Sequence, residues 1–410
     1  MIPLDEARGH VLAGCTVGHP KAVPLADALG LVTSVDIDAP EAVPPFDNTA
    51  MDGFAVRAAD TTAATPGSPA RLSIVGTLGA GAAPDLTVGP GQAVRIMTGA
   101  PLPAGADAVV MVERTKVVDD GATVAVEVAV EPGNHLRRAG DDIEAGQRVF
   151  PAGTALTPAH LGVLASVGAR RVPVYPRPRV GVLSTGDELV DGPEPLGPGQ
   201  IRDSNRRMLL ALVTRADCEP VDLGRIADDE DAIAASFEAA AAGCDAVVSS
   251  GGVSMGDFDF VKVVLDRLGE MRWMQVAIKP AKPLAFGTVE GTPVFGLPGN
   301  PVSSLVSFEL FARPGLRKMM GHADLDRTRL RAEADEDLRR RSDGKVHFVR
   351  VVARYEADGA FHVRSTGAQG SHQLAATAAA NALAVLPDGG GVAAGDQVEI
   401  LPLGDLGTLS

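Results

Sequence analysis

The chain has 410 residues, 45% of them hydrophobic but only 4% aromatic, and a formal charge of −15. That length suits roughly three domains with aliphatic, alanine-rich cores, and the acidic balance excludes the broad basic footprint that nucleic-acid binding needs. Cys15, Cys218 and Cys244 are far apart and fall in no zinc or disulfide spacing. With no basic leader and no uninterrupted run of about 18 apolar residues, a reduced cytoplasmic protein without membrane contact is expected.

The first 175 residues carry short β-like runs, LSIVGTL, QAVRIMTG, DAVVMVE and ATVAVEVAV, divided by Gly and Pro turns. They predict a mainly β region with few helices. Three polar segments stand out in it: DNTAMDGFAV with Asp47, Asn48 and Asp52, RIMTGAPLP with Thr98 and Gly99, and RRAGDDI with Asp141 and Asp142. Taken singly, each reads as a turn. Thr157 and Pro158 predict a helix through Val167, with threonine as N-cap and proline in the first turn. The proline-rich VPVYPRPR then marks a domain boundary.

From Val180 onward, apolar runs such as VGVLST, DAVVSS and MQVAI alternate with helical patterns such as SNRRMLLALVTRA, DAIAASFEAAAAG and DFVKVVLDRLG. That alternation predicts a parallel α/β sheet with ligands at its strand C-termini. LSTGDEL brings Glu188 to such an end. IRDSNRR places Asp203, Ser204 and Asn205 at a helix start, where capping is expected to account for Ser204.

The segment VVSSGGVSMGDFDF, Val247 to Phe260, is the most telling. Gly251, Gly252 and Gly256 let backbone N–H groups approach a ligand, while Ser249, Ser250 and Ser254 add hydroxyls ahead of a helix from Phe260 to Leu268. Asp257 and Asp259 would repel a bare phosphate, so a bridging cation suits the loop; a glycine turn capped by Asp257 is the plainer alternative. If the helix has begun there, the two acids project about 200° apart and cannot both face one ligand. One acid is then left for a cation and the other for the cap.

IKPAKP, read as an extended polyproline-like strand, puts Lys279 and Lys282 on one edge roughly 9 Å apart, able to clamp a dianion. PLAFGTV and TPVFGL form a hairpin through Glu290 and Gly291. GLPGNPVSS turns through Pro298 and Gly299 into a long helix, with Ser303 and Ser304 in its first turn. After Gly321, alternating KVHFVRVVARYEADGAFHVR and NALAVLPDGGGVAAGDQVEILPL predict a small barrel-like β domain.

The ordered set FDNTAMDGFAV, RIMTGAPLP, RRAGDDI, LSTGDEL, IRDSNR, SSGGVSMGDFD, IKPAKP and FGLPGNPVSS closely resembles the molybdopterin molybdenumtransferases, the MoeA and gephyrin E-domain family of molybdenum-cofactor biosynthesis. The resemblance implies a multidomain α/β plus β protein: N-terminal domain I (1–40 and 139–174), mainly β domain II (41–138), molybdopterin-binding domain III (175–322) and β-barrel-like domain IV (323–410). It implies a homodimer that takes adenylylated molybdopterin from a molybdopterin adenylyltransferase, together with molybdate, and cleaves the pyrophosphate link with Mg²⁺ to release AMP. A cleft between domain III of one subunit and N-terminal parts of the other is implied as well.

Carried over residue by residue, the cation contact falls on Asp259 with Ser254 nearby, and the acidic site positions on Asp52, Asp142 and Glu188. Molybdate positions fall on Lys279, Lys282, Pro283 and Ser303, with Ser371 of STGAQGSH as a further site position. Thr98 supports substrate, and Ser249, Gly251 and Gly252 form the substrate loop. A molybdopterin adenylyltransferase and a non-catalytic dimeric scaffold are the alternative functions; the additional domains weigh against the first, and the joint presence of Asp259, Lys279 and Lys282 against the second.

Overall fold

The computed structural model describes residues 1–253, 260–404 and 406. The chain forms two compact units, one of Met1–Ala22, Gly30–Ser34 and Pro173–Ser410, the other of Val23–Leu29 and Val35–Val172. Helix α1 (Leu4–Gly14) opens the larger unit.

The smaller unit is mainly β, as its Gly- and Pro-punctuated runs predict. Its main sheet uses β1 (Gly53–Val56), β2 (Ala70–Leu78), β3 (Gln92–Ile96), β4 (Ala108–Met111), β5 (Thr115–Val118) and β6 (Thr123–Val126), in the order β4–β1–β3–β2–β6–β5. Side chains alternate across each strand. Phe54, Val56, Val110 and Val124 therefore pack on one face, and Ala55, Val94, Ile96 and Val109 on the other. Helix α2 (Pro158–Ser166) starts as expected, with the Thr157 side chain accepting from the His160 N–H.

In the larger unit, β7 (Arg179–Thr185), β8 (Glu219–Ile226), β9 (Ala246–Ser250), β10 (Gly269–Gln275), β11 (Pro283–Val289) and β12 (Thr292–Leu297) form a sheet in the order β8–β7–β9–β12–β11–β10. The first four strands are parallel, and the expected hairpin β11–β12 adds antiparallel pairing. Positive φ at Glu290 (50°) and Gly291 (82°) closes that hairpin, as a two-residue turn matched to strand twist requires. Val182, Val248 and Phe295 face a core shared with α1 and α3 (Ser204–Arg215). Their neighbours Leu183, Val247 and Val294 face α4 (Glu230–Gly243) and α5 (Phe260–Leu268). Strand β8 has no apolar run to announce it. EPVDLGRI lies at the sheet edge with Glu219, Pro220, Asp222 and Arg225 exposed, a place where Pro220 costs no ladder bond.

The long helical run after Pro301 is divided into α6 (Pro301–Ser307), a π-helical turn (Phe308–Ala312) and α7 (Arg313–Met319). Pro314 accounts for the interruption, because a proline has no N–H to donate and its ring clashes with the carbonyl four residues back. That carbonyl, Leu310 O, accepts instead from Arg8 Nη1 at 2.6 Å. Replacing Arg8 with alanine strands a part-buried carbonyl and is expected to cost about 1–3 kcal/mol in denaturant unfolding; an unchanged midpoint would remove this staple from the account.

Domain IV closes on itself. Strands β13 (Leu330–Ala334), β14 (Val346–Tyr355), β15 (Phe361–Ser365), β16 (Ala382–Leu386) and β17 (Gln397–Pro402) pair in the cycle β14–β15–β13–β17–β16–β14, and Ile278–Lys279 adds a parallel pairing to β14. Its interior is small and aliphatic, with Ala332, Ala334, Val351, Ala353 and Ile400, as the low aromatic content requires.

Candidate functional site

Strands β7, β9 and β12 end level, because Ser184 pairs with Ser250 and Ser250 with Leu297. A parallel sheet presents ligands at such ends. Here Thr185, Glu188, Asn205, Ser250, Gly251 and His372 are among the residues lining a pocket of about 280 Å³. Gly251 has φ 97° and its N–H donates to Leu297 O at 3.1 Å. Gly252 has φ 67°, and a Cβ there would lie 2.3 Å from the Val261 side chain. Both positions therefore require glycine to hold the loop against α5. Ser249 points to the opposite face, fully buried, and its Oγ has no hydrogen-bond partner among the described residues. Of the three expected loop residues, only Gly251 lines the pocket.

The start of α3 is fixed by Asp203 rather than by Ser204, correcting the capping expectation. The Asp203 carboxylate accepts from the Arg206 N–H at 3.2 Å and from Ser184 Oγ at 2.5 Å. A carboxylate wins this position because the buried Arg206 guanidinium needs it, pairing with Asp203 (3.0 Å), Asp222 (2.5 Å) and Asp191. Burial pulls the Arg206 pKa down, but its three carboxylates outweigh burial and raise it above the usual arginine range. Asp191 belongs to the loop that also carries Glu188, so the network ties that loop to α3 and β8.

IKPAKP is a turn, not an extended polyproline strand. The Lys279–Pro280 peptide is cis and Ala281 has φ 75°, and the segment folds back so that the Val276 N–H donates to Lys282 O at 2.7 Å. Three residues per turn of a polyproline helix therefore cannot set the lysine spacing. Even so, Lys279, Lys282, Pro283, Ser303 and Ser371 all line one groove of about 980 Å³, walled on its far side by domain IV. The groove's acids are engaged elsewhere: Asp337 by Arg339 at 2.6 Å, and Asp343 by Arg340 at 2.8 Å and Lys345 at 3.2 Å. Lys279 and Lys282 have no ion-pair partner among the described residues.

Domain IV contributes residues that the motifs did not reveal: Arg340, Asp343, His347 and Gln369. The β14 register sets His347 opposite Lys279. Burial lowers the His347 pKa, with Arg340 and Lys279 adding to that and the Asp343 hydrogen bond opposing it. Partial desolvation works to raise Asp343, but hydrogen bonds from His347 and Lys345 prevail and hold it at about 2. They are scattered in sequence, Arg340 and Asp343 in the arginine-rich LRRRSDG, His347 in an alternating strand and Gln369 in STGAQGSH, so no single spacing marks them.

Pocket and groove adjoin at α6. Pro301 and His372 line the pocket, Ser303 and Ser371 the groove, and the Val302 N–H donates to Ser371 O at 3.1 Å between them. In the smaller unit, Asp52 accepts from both the backbone N–H and the hydroxyl of Thr98, each at 2.7 Å. Those bonds, the backbone one first, lower the Asp52 pKa. Asp142 is held by its backbone N–H on Val43 O at 3.0 Å, and no side-chain partner is found for it among the described residues. Asp259 and Ser254 lie outside the described residues.

A strand-end pocket in an α/β sheet, adjoined by a lysine- and arginine-lined groove against a small barrel, defines the class as a multidomain α/β plus β protein. Known proteins narrow that class. Residues 2–168 match the MoeA N-terminal region (domain I and II), residues 181–318 a probable molybdopterin binding domain, and residues 331–403 the MoeA C-terminal region (domain IV). Molybdopterin molybdenumtransferase 2 of Mycobacterium tuberculosis is 43% identical over 393 residues, covering 94% of this chain and 95% of that protein. The molybdopterin molybdenumtransferase of Haemophilus influenzae is 39% identical over 99% of this chain and 100% of its own. The solved structure of the molybdopterin biosynthesis MoeA protein from Pyrococcus horikoshii superposes with a TM-score of 0.80 at 32% identity, covering 98% of this chain and 100% of that one. This chain belongs to the molybdopterin molybdenumtransferase family.

Proposed function

We propose that the protein ligates molybdate to the dithiolene of adenylylated molybdopterin, cleaving the phosphoanhydride and releasing AMP with the finished molybdenum cofactor. One observation carries this reading: the polar strand-end pocket and the lysine groove adjoin at α6, so an anionic heterocycle and an oxyanion can be held side by side. Lys279 and Lys282 supply charge to a tetrahedral dianion, and the Ser303 and Ser371 hydroxyls supply donors. Pro283 shapes the turn that carries the lysines.

The donors facing the pocket are chiefly oxygens, with Glu188 as a carboxylate, and no group of three or more metal-binding side chains occurs among the described residues. That set suits Mg²⁺, which keeps several waters and takes substrate phosphate oxygens with one or two carboxylates. Glu188, Asp259 and Ser254 are the proposed holders. When bound, the cation offsets phosphate charge at the bond to be cleaved. Where water is the attacking group, Glu188 or Asp142 takes its proton; a molybdate dianion has none to lose, and the same carboxylate then completes the metal shell. Asp52 with Thr98 is the contribution of the N-terminal region.

No helix among the described residues is long and apolar enough to cross a membrane. A cytoplasmic homodimer served by a molybdopterin adenylyltransferase belongs to the same proposal. Purified protein mixed with adenylylated molybdopterin and Mg²⁺ should release AMP, followed by chromatography, faster when molybdate is added. Molybdate-independent or absent release would overturn the insertion reading, and synthesis of adenylylated molybdopterin from ATP would make the protein an adenylyltransferase instead.

A further inference from the structure

We infer that Asn205 is a specificity-determining residue that accepts a hydrogen bond from an N–H on the heterocycle of the substrate. The inference rests on the reading of the strand-end pocket as the molybdopterin site. Asn205 stands in the first turn of α3, lines that pocket and is only 8% exposed. Its Nδ2 donates to Ser250 Oγ at 2.7 Å and to the Gly299 carbonyl at 2.6 Å. A carbonyl only accepts, so the contact with Gly299 fixes which end of the amide is nitrogen. Both amide hydrogens are thereby spent on two walls of the pocket, and the side chain cannot flip without placing oxygen against oxygen.

What remains is Oδ1, buried and without a hydrogen-bond partner among the described residues. A desolvated acceptor held in one orientation is satisfied only by a donor brought to it. Phosphate and molybdate dianions bring none. The 2-amino-4-oxo edge of a pterin does, through its exocyclic amine and ring N–H. Such an acceptor favours a ligand with a donor at that place and rejects one that presents oxygen there, because two unpaired acceptors would then face each other with Oδ1 itself shielded from water. Glu188 and His372 also line the pocket, but neither is locked in this way by the bonds it makes.

The test uses the full chain and two fluorescent probes, pterin-6-carboxylate and lumazine-6-carboxylate, which differ in carrying an amine or an oxygen at C2. Wild type is expected to bind the pterin about tenfold or more tighter. In Asn205→Ala that preference should fall to within about twofold. Ser250→Ala removes a clamp partner but leaves Oδ1, so it should keep the preference even if both affinities drop. An Asn205→Ala variant that weakens both probes equally would make Asn205 a purely structural clamp and overturn the inference. A wild type that binds neither probe would count against the molybdopterin reading of the pocket, and one that binds both alike against a donor-reading acceptor.

Discussion

Replacing Lys279 and Lys282 together with alanine is expected to raise the molybdate concentration that half-saturates AMP release by about 100-fold or more. A hydrogen bond to a charged group contributes about 1.5–3 kcal/mol, and two of them acting on one small dianion give a factor of at least that order. The groove supports a strong effect because its neighbouring acids are already paired, Asp337 with Arg339 and Asp343 with Arg340 and Lys345, leaving both lysines to a ligand. Either single replacement should cost about tenfold. Lys279 also contributes to holding down the His347 pKa, so the His347 titration followed by NMR should move upward in the variant, reporting a folded groove independently of activity. An unchanged molybdate titration in a folded double variant would remove the clamp from the mechanism.

Asp259→Ala is expected to lower the turnover of AMP release by about 100-fold or more at saturating molybdate, and to raise the Mg²⁺ requirement. Metal neutralisation of a transferring phosphoryl group is worth several kcal/mol, and Mg²⁺ depends on one or two carboxylates for its place. Asp257→Ala provides the contrast. As a helix cap it should cost about 1 kcal/mol of stability and leave turnover within about threefold. Loss of turnover in Asp257→Ala with normal turnover in Asp259→Ala would reverse the two roles; normal turnover in both would place the cation elsewhere.

Much of this fold is written in local pattern. The α/β alternation after Val180, the turn at Glu290 and Gly291, the helix begun by Thr157 and Pro158, and the alternating strands of domain IV each follow from spacing that neighbouring residues enforce on one another. Departures arose where a distant group decided the matter. Strand β8 forms because β7 offers it a ladder at the sheet edge, not because its own residues are apolar. Asp203, not Ser204, caps α3 because Arg206 is buried beside it. The π turn follows from Pro314, but it is Arg8, more than 300 residues away in sequence, that receives the freed carbonyl.

The same division holds for the site. By itself the sequence determined which chemistry-bearing residues exist and that a Gly/Ser loop, two lysines and several acids stand at the ends of elements, because those residue types are demanded by turns, caps and strand ends within a few positions. Only the tertiary structure decided that Lys279, Lys282, Ser303 and Ser371 line one groove, that Arg340 and His347 of the barrel join them, and that Ser249 turns inward while Asn205 is locked between Ser250 and Gly299. Those outcomes depend on strand register and on the turn at Ala281. Both are set by packing across the whole unit, and no window of sequence contains that packing.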